Sequence, residues 1–477
     1  MRFRQSAVFV FACLVLSAAF PCQAQTDKDK VGFTQLQMEV GGGLETGVGI
    51  RVGIVEAPSS GNYLPDITNP EFVGKTFTPG SGASGAITHA TTVTRRFVGT
   101  ASGMATGVTD ITVYEANDWL GRVLGFDTDP VAPGNQKAAP LSHSDFTVMN
   151  HSYVGRATNV TVADAIEYNR RLDLVVDRDN VTMVVAADNG STSPIPRIFA
   201  PSYNTITVGL TDGGHSSGAT TLNGSGRIKP DLVAPHGTTT DNSFTSFSTP
   251  FVSSAATILR HKGNNMGGNA ALNEVTKAVL LAGATKDEFG GWSNTPTQPL
   301  DSTFGAGELN IYNSYNILDG GEFNGTNSIM TAPDIPDMGW DYVDSITTSE
   351  SLFYNFDIVS PSADASIILN WNVNISDGGG VLDYDTMDFA NLDLQLYNSA
   401  GGVLGSLVAE SISTVDNVEH LYLTGLATGE YSIAVQGISG TTDYALAWNI
   451  TAVPEPSTLA ACFIGLTSVL IRRRQRA

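Results

Sequence analysis

Residues 245–259 read Thr-Ser-Phe-Ser-Thr-Pro and then Phe-Val-Ser-Ser-Ala-Ala-Thr-Ile-Leu, small and apolar side chains without one charge. A helix built from them has no charged face to give to water, and its small side chains let it run through a crowded core. Pro250 falls early in that helix, where a missing amide hydrogen removes little. The amides at such a helix start carry roughly half a positive charge, which is where a developing oxyanion is best placed. Ser246 is therefore a candidate nucleophile, although Ser/Thr-Pro pairs also open ordinary helices. A core helix needs layers around it. The apolar run Val-Gly-Ile-Val ahead of Glu56 predicts a buried parallel strand whose carboxyl end carries function, as α/β sheets tend to do.

Further segments stand in a fixed order. Arg51-Val-Gly-Ile-Val-Glu56 is an apolar strand ending in an acid; Thr88-His89-Ala-Thr-Thr-Val93 places a histidine; Val184-Val-Ala-Ala-Asp-Asn189-Gly190 ends a second apolar run on an asparagine; Lys229-Pro-Asp-Leu-Val-Ala-Pro235 precedes the serine. Acid, histidine, asparagine and serine in this order resemble the subtilisin-like serine proteases, the subtilase or peptidase S8 family. Weaker echoes are Val148-Met-Asn-His-Ser152-Tyr-Val-Gly155, Ile206-Thr-Val-Gly209 and Phe304-Gly-Ala-Gly-Glu308, so the resemblance spans residues 45–318. It implies a parallel sheet flanked by helices, a Glu56, His89, Ser246 triad and Asn189 in the oxyanion hole. It also implies that Ser152, Tyr153, Val154 and Gly155 form the strand that pairs with substrate backbone.

The chemistry explains why these residue types belong together. A serine hydroxyl is a poor nucleophile at neutral pH, so an imidazole must take its proton and return it to the leaving amine. A carboxylate on the other ring nitrogen fixes the tautomer and stabilises the imidazolium. No cofactor is required. His236, His143 and His151 are rival bases and Asp66 a rival acid; His89 is preferred for its His-Ala-Thr motif between the acid strand and the asparagine. The chain departs from the family pattern at Glu56 (usually aspartate), Ala90, Asp188 and Phe244 (each usually glycine). These departures keep open an alternative reading, an impaired subtilase-like surface protein acting as a binding or matrix module.

The ends predict an address. A basic start, an apolar stretch at 6–20 and Cys22-Gln23-Ala24 form a signal peptide, residues 1–24, with cleavage after Ala24. Val453-Pro-Glu-Pro-Ser457, an apolar stretch and Arg472-Arg-Arg-Gln-Arg476 resemble the PEP-CTERM sorting signal of exported bacterial proteins, residues 453–477. The resemblance implies a temporary membrane anchor, processing by an exosortase-like enzyme and delivery to the cell envelope, cell surface or extracellular matrix of a Gram-negative-type bacterium. Cys13, Cys22 and Cys462 all lie in these targeting segments, so a mature chain has no disulfide. A net charge of −22, from 47 acidic and 25 basic residues, argues against nucleic acid as a partner. The subtilase resemblance implies protein or peptide substrates.

A short N-terminal segment, 25–44, precedes the catalytic domain, 45–318; a proline-bearing linker at 319–335 follows. Beyond it, Leu392/Leu394/Leu396, Leu421/Leu423, Ile433/Val435 and Leu446/Trp448 alternate with a period of two. Residues 336–451 are thus expected to form an all-β domain, a sandwich or jelly roll. Asp377, Asp383, Asp385, Asp388 and Asp393 suggest a structural calcium loop there, because hard cations take several carboxylate oxygens.

Overall fold

The computed structural model describes residues 26–126, 137–156, 160–236, 244–378, 382 and 384–453. The expected signal peptide and, but for Val453, the expected sorting signal lie outside them. Two short helices, α1 (Asp27–Lys30) and α2 (Phe33–Val40), come first. Val31, Phe33 and Leu36 are buried in the main core, so this segment belongs to the catalytic domain's packing.

Strands β1 (Arg51–Glu56), β2 (Thr76–Pro79), β3 (Asp110–Glu115), β4 (Val148–His151), β5 (Thr182–Ala186) and β6 (Ile206–Leu210) follow. A small ribbon of β7 (Gly218–Ala219) and β8 (Ile228–Lys229) precedes β9 (Leu232–Ala234). The seven-stranded sheet has the order β2-β3-β1-β4-β5-β6-β9, and every pairing is parallel. Side chains alternate across it, as the pleat requires. Val52 and Ile54 face one apolar layer, and Val55 faces the other. Both faces are covered, which is why the strands read as unbroken apolar runs rather than alternating ones.

The covering helices are α3 (Thr88–Val98), the single turn α4 (Ala116–Asp118), α5 (Val162–Asp179), α6 (Thr245–Met266), α7 (Asn273–Gly283) and α8 (Ile311–Asp319). As its composition predicts, α6 runs through the core against β4, β5 and β6, with Ser253, Ser254, Ala255, Ala256 and Thr257 wholly buried. Their hydroxyls all have acceptors, Thr257 Oγ1 on Ser253 O at 2.8 Å a turn back, Ser253 Oγ on Asn150 Oδ1 at 2.9 Å and Ser254 Oγ on Phe97 O of α3, so burying them leaves no orphan donor. Pro250 lies in the second turn, not the first. It removes the amide that would otherwise reach the Ser246 carbonyl, one bond more than a first-turn proline would cost.

The C-terminal part carries β10 (Met338–Thr347), β11 (Ser351–Asn370), β12 (Asn374–Ser376), β13 (Thr386–Asp388), β14 (Asn391–Ala400), β15 (Val403–Ser411), β16 (Val418–Ser439) and β17 (Thr441–Ala452). Its six-stranded sheet runs β10-β17-β11-β16-β14-β15, all antiparallel. The two longest strands, β11 and β16, serve both halves of a sandwich. The end of β11 pairs with β17 and the start of β16; its beginning pairs with the end of β16, which pairs in turn with β14. Register shifts between Ile358 and Ser362 mark the bend, since bulges bend strands. Ile367, Leu369, Leu446 and Trp448 point into the sandwich with Leu392, Leu394 and Leu396. Ile368, Ala445 and Ala447 point the other way, into the catalytic domain's core. Helix α7, buried along its whole length, is packed between the two domains. Among the described residues no helix is long and apolar enough to cross a membrane.

Candidate active site

Glu56 ends β1, an interior strand between β3 and β4, and is wholly buried. His89 is the second residue of α3, and its Nδ1 lies 2.7 Å from Glu56 Oε2. With Nδ1–H donating to the carboxylate, Nε2 carries the free lone pair. Burial works against a charged imidazole, but the hydrogen bond and charge of Glu56 together outweigh it, so His89 is held above its ordinary value of 6.5. Burial also pushes the Glu56 carboxyl up, against the opposing pull of His89. Helix α3 is fastened to α6 at this level. The Arg96 guanidinium sits 4.8 Å from the Phe247 ring centre and donates to His236 O at 2.5 Å, while Ser254 Oγ donates to Phe97 O at 2.5 Å. The His89 and Phe247 rings are consequently 5.9 Å apart, which brings the imidazole to the residue after Ser246. A bond from His89 Nε2 to Ser246 Oγ is not formed among the described residues. Such bonds are often long before substrate binds.

Ser246 is the second residue of α6. Phe244, the N-cap, supplies no side-chain bond. The cap comes from another element: Asn189 Oδ1 accepts from Thr245 N at 2.8 Å, while the Thr245 hydroxyl donates to Ala187 O at 2.6 Å. Phe247 N donates back to Phe244 O at 2.9 Å. Between these two satisfied amides, Ser246 N–H has no acceptor among the described residues, as expected of the first turn of a helix. Asn189 Nδ2 has none either, because the pinned oxygen turns the amide's donor side away from Thr245. Two donors and a hydroxyl therefore sit together at a helix N-terminus. Gly190, at φ 92°, provides the left-handed turn that takes the chain away from the site.

The model of the subtilase family, peptidase S8, matches residues 68–307, half of the chain. The chain belongs to the subtilase family. Membership supports a serine protease. The matched region holds His89, Asn189 and Ser246 and begins after Glu56. No curated protein matches this subtilase significantly. Similar solved structures include a variant of the protease domain of PatA (21% identity, 58% of this chain and 98% of that one, TM-score 0.39). Others are the prenylagaramide maturation protease PagA (20% identity, 57% and 94%, TM-score 0.35) and fervidolysin from Fervidobacterium pennivorans, described as a keratinolytic enzyme related to subtilisin (14% identity, 86% and 70%, TM-score 0.38).

The departures of this subtilase from the family pattern have local explanations. Phe244 has φ −119° and ψ 131°, ordinary extended backbone that needs no glycine, and its ring packs 5.9 Å from Phe247. Ala90, the third residue of α3, is wholly buried, and a methyl fits there. Asp188 is buried and bonded to the Arg156 guanidinium at 2.8 and 2.9 Å, and its Oδ1 also accepts from Asn189 N at 2.8 Å. Sequence reasoning missed Arg156 and Arg96. An arginine directly after Gly155, opposite an anomalous aspartate, was the available signal for the first; nothing local marks the second.

The expected substrate segment is largely turned inward. Ser152 Oγ accepts from Asn150 Nδ2 at 2.9 Å, and Tyr153 packs among His151 and Phe199, its hydroxyl buried without a partner among the described residues. Gly155 O accepts from Ile198 N at 3.1 Å, and Val154 alone is half-exposed. The rivals lie elsewhere. Asp66 is exposed and bonded to Thr68. His143 and His151 are buried beside Trp119, and burial lowers them to about 4 and about 3. His236 lies 3.4 Å from Asp212. Of the candidate calcium ligands, Asp383 lies outside the described residues. Asp377 and Asp385 accept from the backbone amides of Leu382 and Gly378 in their own loop. Among the described residues no three histidines, cysteines, aspartates or glutamates converge to hold a metal ion.

Proposed function

We propose that this subtilase is an exported serine endopeptidase that cleaves protein or peptide substrates through an acyl-enzyme. The observation that carries the reading is the 2.7 Å contact of Glu56 with His89, on a ring set beside the α6 N-terminus. Ser246 Oγ attacks the substrate carbonyl carbon while His89 Nε2 takes its proton, and Glu56 stabilises the resulting imidazolium. The oxyanion lies between Ser246 N–H and Asn189 Nδ2, which are already oriented before reaction and need no rearrangement. On collapse His89 returns the proton to the leaving amine. Water, deprotonated by the same imidazole, then releases the acid product. Substrate backbone is received along Ser152, Tyr153, Val154 and Gly155 through main-chain groups, since the Ser152 and Tyr153 side chains are engaged elsewhere.

Export by the signal peptide and sorting by an exosortase-like enzyme complete the proposal. They rest on the motif order at the two termini. A serine-reactive phosphonate tests the chemistry. It should label residues 25–451 at Ser246, and Ser246→Ala should abolish both labelling and peptide cleavage while leaving the circular dichroism spectrum unchanged. Normal cleavage by that variant would sink the assignment.

A further inference from the structure

Beside the asparagine of the candidate oxyanion hole lies a cavity of about 690 Å³, walled by Arg156, Asp188, Ser193, Ile195, Arg197 and Leu222 among others, most of them aliphatic or proline. The chain fixes its relation to the chemistry. Asp188 immediately precedes Asn189, whose Oδ1 is bonded to Thr245 N. The wall therefore adjoins the point where a scissile carbonyl would be held. The loop carrying Arg197 is clamped: buried Asn169 of α5 donates to Arg197 O at 3.0 Å and accepts from Phe199 N at 2.7 Å. Ser193 Oγ donates to Asn189 O at 2.7 Å, tying the other end of the loop to the oxyanion residue.

Two arginines and one aspartate line this cavity. Arg156 commits Nε and Nη2 to Asp188. Arg197 donates Nη1 to Val160 O at 2.7 Å and forms no ion pair among the described residues. Arg170 and Arg227 also lack an ion pair among the described residues and donate to carbonyl and amide oxygens; Arg197 differs from them in lining the cavity. With Nη1 on Val160 O, the Nε–Nη2 edge makes no bond among the described residues, and that edge is the one by which a guanidinium holds a carboxylate bidentately.

We propose that this cavity receives the side chain of the substrate residue whose carbonyl is attacked, and that Arg197, beside the Arg156–Asp188 pair, selects a carboxylate-tipped side chain, glutamate above glutamine. The inference rests on the proposed peptidase reading and adds the substrate class. The aliphatic stem lies along the proline and isoleucine wall, and the carboxylate meets the guanidinium. A lysine at the same substrate position is repelled.

Binding to the Ser246→Ala protein tests this apart from catalysis. Two fluorescent peptides differing only in glutamate or glutamine at the cleavage position are titrated by anisotropy. The glutamate peptide should bind about tenfold more tightly at low salt, and the ratio should shrink as salt rises. Arg197→Gln should bring the ratio close to one, and Arg197→Lys, which keeps the charge without the fork, should restore part of it. Equal binding, undetectable binding of the glutamate peptide, or an unchanged ratio in a folded Arg197→Gln protein overturns the proposal. If the glutamate preference appears while the parent protein cleaves neither peptide, the peptidase reading fails and the subsite stands. If the parent protein cleaves both peptides and shows no preference, the peptidase reading stands and the subsite fails.

Discussion

Replacing Glu56 by glutamine probes the buried pair directly. Glu56 Oε2 faces His89 Nδ1, and its other oxygen, Oε1, is buried without a hydrogen-bond partner. A glutamine in that place has two orientations. If its oxygen faces Nδ1–H, the productive tautomer survives but the NH₂ is buried with no acceptor, at a cost of about 1–3 kcal/mol. If the NH₂ faces Nδ1, the donor is satisfied and the proton moves to Nε2, the wrong nitrogen for a base. The site therefore favours the unproductive form. The lost charge adds to this: an imidazolium and a carboxylate about 4 Å apart attract by about 4 kcal/mol at an effective dielectric of ~20. Water reaching the partly open face of His89 lowers that figure. Together the effects predict a fall in turnover of roughly 10³–10⁴, or about 4–5.5 kcal/mol. The assay is hydrolysis of a chromogenic peptide, with circular dichroism as the control for folding. Glu56→Asp should recover part of the rate, since the charge returns on a shorter stem. Near-normal turnover in Glu56→Gln, together with collapse in Asp66→Asn, would refute the argument and move the acid role to Asp66.

The other predictions address separate links. Asn189→Ala should lower turnover by about 10²–10³, by loss of the Nδ2 donor and of the cap on Thr245 together; Asn189→Asp, which keeps the acceptor but not the donor, should lower it at least as far without lowering the melting temperature. Because Glu56 holds His89 above 6.5 and only the neutral ring accepts a proton, activity should fall as pH drops through a value above 6.5. The limb should move to lower pH in Glu56→Gln, where burial acts alone, and a limb that stays in place counts against His89 as the base. Lys286, buried against Ala284 O and Ser366 Oγ between the domains, is lowered to about 7 by burial. The unfolded chain binds that proton up to about pH 10.5, so stability should rise with pH between the two values, and Lys286→Met should flatten the rise in thermal melts. Deleting residues 453–477 should release the protein from the envelope without changing its activity; unchanged retention on fractionation would assign the anchoring to another feature.

Much of the layered fold is legible in the sequence because burial writes itself into composition. A strand covered on both faces is apolar at every position, as in Val52, Ile54 and Val55, and a helix through the core is small and uncharged, as α6 is. The placing of Glu56 at a strand end and of His89 and Ser246 at helix starts was readable from the residue patterns around them. The inward turn of Ser152 and Tyr153 was not readable, because it depends on Asn150 and Phe199, whose positions no local pattern reveals. Nor was the packing of α7 between two domains, since Ala445 and Ala447 look like weak strand positions until a helix is found against them.

The amino-acid sequence by itself determined the parallel α/β core, the following antiparallel domain and which side chains are equipped to move a proton, since periodicity and residue chemistry are local properties. The tertiary structure alone decided how those side chains meet. Asn189 caps a helix distant in sequence, Arg96 fastens α3 to α6 so that His89 reaches the serine's neighbour, and Asp188 finds Arg156 across a loop. Each of these is a contact between segments far apart in the chain, and its existence depends on the path of all the backbone between them.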